Sequence, residues 1–173
     1  MSTPVRRSIL GRILTRSRPP AERPAWMVAL ENGADEGFFG PGSAVWDVNG
    51  APSGSVAGIR ALLLQTLHPG AMAGVHDWSR YREDPMGRLD GTARWVMTTT
   101  FGSRDAATAG SAMVSRMHTR ITGTYTDAAG SEKQYAANDP ELLRWVHDAF
   151  TEAFLGARLR WGRGAIPGGP DQY

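Results

Sequence analysis

The sequence predicts an all-α domain, and three observations carry that prediction. Residues 53–67 place Val56, Ile59, Leu63, Leu64 and Leu67 at spacings of three and four, the period of one helix face. Asp-Pro pairs at 84–85 and 139–140 each supply a capping carboxylate followed by proline at the first helical position. The second pair opens onto ELLRWVHDAFTEAFLGARLR, a long amphipathic stretch. At 173 residues the chain is one domain's worth, long enough to bury a core.

Taken in order, residues 1–25 read as a basic leader with six arginines against one glutamate, a composition that predicts disorder. A short amphipathic turn, SILGRIL, sits inside it. The Arg6-Arg7 pair raises an export signal, but Arg12 and Arg16 break the apolar run such a signal needs. Residues 26–52 read as irregular, with Gly and Pro punctuating SAVWDVNG.

The first strong helix is expected over 53–67, its apolar stripe forming a buried face. His68-Pro69-Gly70 ends it, because proline disfavours the helical conformation in the residue before it. AMAGVHDWSRYRE then reads as a connector with at most one helical turn. A helix over 85–100 stops at Phe101-Gly102, and a third over 105–121 is terminated by Gly123. TGTYTDAAGSEKQYAAND alternates Tyr and Thr about a turn sequence, as a hairpin or an open loop. The last long helix starts at the second Asp-Pro pair and runs to about residue 160. The Gly- and Pro-rich residues 161–173 read as a flexible tail, leaving 26–160 as the folded helical domain.

Composition excludes several chemistries. The chain has no cysteine, hence no disulfide, thiolate nucleophile or sulfur-rich metal site, and any metal must be held by His, carboxylate or a cofactor ring. No apolar run approaches the roughly 18 residues of a membrane span, and a cytoplasmic location is expected. The net charge of +2 concentrates its excess in the leader, and no specific nucleic-acid contact is expected from the rest.

The histidines His68, His118 and His147 lie on or beside predicted helices, at spacings that fit no zinc signature. A lone helical histidine is more often a packed structural residue than a ligand. His118 has the strongest surroundings, on the face of Val114 and Ile121 among Met113 and Met117. A neutral imidazole held in an apolar space is what a haem iron takes as an axial ligand. Arg88 and Thr92, four apart, share one helix face with Trp95 and Val96 following. That pair would steady an anion or a polarised oxygen; the plainer alternative is a surface arginine with its threonine bonding back to the helix. Met113 and Met117 read as gap-filling core rather than ligands.

The segments FFGPGSAVWDVNG, LLLQTLHPGAMAGVHDWSRYREDPMGRLDGTARWVMTTTFG, VSRMHTRITG and YAANDPELLRWVHDAF resemble the MpaB-type or rubber oxygenase catalytic domain, which includes the latex-clearing proteins. The resemblance spans about residues 38 to 155. It implies a globin-like helical bundle around a b-type haem, with His118 as proximal iron ligand and Arg88 and Thr92 on the distal side. His68, within LHP, belongs to the pattern of short bacterial members as a distal or structural residue. His147 is expected to be structural, bonding across helices. The rubber-cleaving members carry a lysine where this chain has Gly91, and their catalytic glutamate has no counterpart here, Met72 or its neighbours lying near that site. Rubber is therefore not the expected substrate.

The leading expectation is a haem b-dependent oxygenase that uses dioxygen or peroxide on a small or medium apolar organic molecule. A haem carrier or sensor, with His68 or His76 as sixth ligand, and a helical interaction protein without haem stand as alternatives. Members of that family continue with further helices, which leaves two expectations: a short form with an incomplete haem pocket, or a second copy or partner chain that completes it.

Overall fold

A computed structural model describes residues 24–173. The expected leader, with SILGRIL, lies outside the described residues up to residue 23. Among the described residues the protein is mostly helical, as predicted. In chain order it has α1 (Ala25–Glu31), α2 (Ala44–Asn49), α3 (Gly54–Gln65), α4 (Pro69–Trp78), α5 (Pro85–Phe101) and α6 (Arg104–His118). A hairpin of β1 (Thr122–Thr126) and β2 (Glu132–Ala136) follows, and then α7 (Pro140–Trp161). None of these helices is long and apolar enough to cross a membrane.

The four predicted helices are the four longest, and side-chain caps explain the starts of three of them, Ser53 before α3 making no capping bond. Asp84 Oδ1 accepts from the Gly87 amide at 2.9 Å, Ser103 Oγ from Ala106 at 3.3 Å and Asp139 Oδ1 from Glu141 at 2.8 Å. The expected connector is instead the ten-residue helix α4. Pro69 does two jobs: it ends α3 and, preceded by a capping His68, occupies the first turn of α4. Ser43 likewise caps α2 at Trp46, in a stretch whose composition reads as irregular. The helix before the hairpin stops at His118, short of Gly123, which lies in β1.

Leu64 packs against the core, but the rest of the apolar stripe of α3 does not face it. Ile59 is 57% exposed and Leu63 64%, with Val56 and Leu67 also exposed, while Ala57 and Ala61 are fully buried. These alanines pack with Ala153 and Ala157 of α7. Short side chains let the two helix backbones approach closely, and that contact outweighs the burial of the larger residues. Arg60 holds the crossing from its edge, donating to the Glu152 carbonyl at 2.9 Å. A second cluster sets Trp46 edge-on to the fully buried Phe101, ring centroids 5.0 Å apart.

The expected flexible tail is docked. Ile166 joins the core, and Tyr173 donates its hydroxyl to Asn49 Oδ1 at 2.8 Å. Arg158 lies buried beneath it, donating from Nε to Asp47 at 2.7 Å and from its terminal nitrogens to the Arg163 and Gly164 carbonyls. A buried guanidinium needs several acceptors at once, and the folded-back tail supplies two of them.

Candidate functional site

A two-residue turn, Gly102-Ser103, joins α5 to α6, so the two pack as neighbouring antiparallel helices. Arg88 lies 13 residues before the end of α5 and His118 14 residues after the start of α6. At 1.5 Å per residue both stand about 20 Å from the turn, level with one another. The fold thus brings Arg88, Thr92 and His118 to one end of the helical hairpin.

Arg88 donates from its guanidinium to Thr92 Oγ1, and Thr92 in turn donates to the Arg88 carbonyl at 3.2 Å. Thr92 therefore does bond back to its helix. Arg88, however, is partly buried rather than fully solvated, and burial lowers its proton affinity. His118 is held below its ordinary value, first by burial and second by the positive charge of Arg88. The result is a neutral imidazole beside a cation. One turn beyond Thr92 on the same face, the indole nitrogen of Trp95 is buried and has no hydrogen-bond partner among the described residues.

Among the described residues no three His, Cys, Asp or Glu side chains come together as a metal cluster. A metal held by side chains alone would need such a group, whereas a haem iron draws four nitrogens from its ring and needs one neutral imidazole. Met113 and Met117 are exposed on α6, so they do not form the packed core expected around His118.

The other histidines serve elsewhere. His68 Nδ1 accepts from the Gly70 and Ala71 amides at 3.2 and 3.4 Å, which caps α4, and its ring lies 5.6 Å from that of Trp145. A neutral ring that accepts at Nδ1 carries its proton on Nε2 and offers no second lone pair to a metal. His147 is exposed on α7, without the expected bond across helices among the described residues. His76 pairs with Asp77 at the end of α4, and Asp77 also accepts from Tyr135. Sequence reading misses this last group; in the structure Gly123 makes room for it, since a Cβ there would sit 2.7 Å from the Tyr135 hydroxyl.

Residues 46–172, about three-quarters of the chain, match the family described as ER-bound oxygenase mpaB/B'/Rubber oxygenase, catalytic domain. No curated protein and no solved structure matches the chain.

Proposed function

The chain belongs to the mpaB/rubber oxygenase catalytic-domain family, and from that premise we propose that it is a haem b-dependent oxygenase acting on a small or medium apolar organic substrate. An oxygenase-type activity follows from the family; the haem, its ligand and the substrate class are our reading. The observation that carries it is the neutral, half-buried His118 set beside Arg88.

In this reading His118 would hold a haem through its imidazole nitrogen, and Arg88 and Thr92 would supply a positive charge and a hydroxyl to the reacting oxidant. A bound haem would supply the redox centre for dioxygen or peroxide. Arg88 contributes a fixed positive charge and hydrogen-bond donors in a partly dry site, where such groups count for most. Thr92 holds the guanidinium in place through its hydroxyl. Gly91, where the rubber-cleaving members carry lysine, leaves open space beside Thr92, since a Cβ there meets nothing within 4 Å. The exposed stripe of Val56, Ile59 and Leu63 supports the accompanying expectation that a second copy or partner chain completes the assembly.

The test is oxygen consumption by the haem-loaded protein across a panel of compact apolar compounds. Arg88→Ala should keep its haem yet lose at least about tenfold in turnover, in line with removal of one electrostatic donor. Undiminished turnover in that variant would remove Arg88 from the mechanism, and no oxygen consumption with any compound would remove the oxygenase.

A further inference from the structure

A groove of about 410 Å³ runs between α4 and β1, using none of Arg88, Thr92 or His118. Pro69, Met72 and Ala73 give it an apolar floor, and Tyr125 lines it from β1. His76 and Asp77 stand along its edge.

The polar edge is tightly organised for a surface. Tyr135, only 5% exposed, donates its hydroxyl to Asp77 Oδ2 at 2.6 Å. The neighbouring Trp78 donates from its indole to the Thr122 carbonyl at 3.2 Å, tying the end of α4 to the hairpin a second time. The other Asp77 oxygen faces His76 Nδ1 at 2.9 Å. Tyr135 and His76 both favour the ionised carboxylate, and the phenol is pushed up to about 12 by burial and by Asp77. An ionised carboxylate only accepts, so His76 must donate from Nδ1. In the neutral ring Nε2 is then left with its lone pair as an open acceptor.

The geometry points to this groove as a binding site for a small neutral apolar compound bearing a hydroxyl group. Its hydrocarbon body would lie on Met72, Ala73 and Tyr125, and its hydroxyl would donate to His76 Nε2. The charge on Asp77 discriminates against carboxylate ligands, since a second anion beside it is repelled. The plan is the usual one for a small-molecule site, an apolar surface with a few polar groups at its margin, here His76 with Asp77 and the hydroxyls of Thr66, Thr124 and Thr126.

Three probes of similar shape separate these contributions: 4-methylphenol, toluene and 4-methylbenzoate. Each is titrated into the protein while backbone amide NMR shifts are followed. We expect shifts centred on residues 72–77 and 124–126, with 4-methylphenol binding roughly fivefold tighter than toluene, the value of one net hydrogen bond. The benzoate should bind weakest. His76 is half exposed, so His76→Phe keeps the fold and should equalise 4-methylphenol and toluene. Tyr135→Phe, which frees Asp77 while keeping the ring, should reduce the preference by a smaller factor. Equal affinity of the phenol and toluene in the wild type would overturn the proposal. So would a preference that survives His76→Phe, or shifts centred elsewhere.

Discussion

Arg88 on α5 lies close enough to His118 on α6 for its charge to lower the proton affinity of the imidazole. The relationship is a product of helix register: two helices of nearly equal reach, folded back at Gly102-Ser103, place both residues at the same level. A cation beside a potential metal ligand would be wasted on a charged ring. It favours the neutral form, the form in which a nitrogen lone pair is available.

This relationship makes stability depend on pH. The folded protein resists protonating His118, whose value lies below 6.5, while the unfolded chain takes up that proton near 6.5. The stability linked to this group is therefore fully present above pH 6.5 and is lost as pH falls through the lowered folded-state value. A proton NMR titration of the His118 ring should give a midpoint below 6.5. Arg88→Ala should raise it only part of the way, because burial is the larger cause. A midpoint at or above 6.5 in the wild type would contradict the neutral-ligand picture.

The packing of α3 makes a contrast that hydrophobicity alone would invert. Ala61→Leu forces a large side chain into the close contact with α7 and should cost about 1–3 kcal/mol in urea unfolding. Leu63→Ser, on the exposed stripe, should stay within about 0.5 kcal/mol of wild type. If Leu63→Ser proved the more costly, the exposed stripe would be buried in solution, and the oligomeric state would be the next measurement.

His68 separates capping from ligation. His68→Ala removes the acceptor for two amides at the start of α4 and should lower stability by about 1 kcal/mol. Its absorption spectrum with hemin should match that of the wild type. A changed iron spectrum would instead make His68 a haem-contacting residue.

Much of the fold is legible in the sequence, and what is not has physical reasons. The Asp84-Pro85 and Asp139-Pro140 starts are local chemistry, and both helices begin where that chemistry puts them. The burial of α3 is inverted because periodicity reports which residues share a face, not which face finds a partner. Here Ala57 and Ala61 meet Ala153 and Ala157 first. His68-Pro69 reads as a stop because proline ends one helix by the same constraint that starts another. The short α1 and α2 carry too few residues to display a period at all. At the site, Arg88 and His118 can be named singly from the sequence, and their proximity is recoverable from equal spacing about the turn. Nothing local in the sequence announces that Tyr135, 58 residues from Asp77, donates to it.

The most direct test of the central claim is a hemin titration followed by absorption spectroscopy, with wild type and His118→Ala side by side and circular dichroism to confirm that both are folded. The account predicts a sharp Soret band saturating at one haem per chain in the wild type, and its collapse in the variant. An identical band in both proteins, or no specific band in either, would contradict the assignment of His118 as the residue that holds the iron.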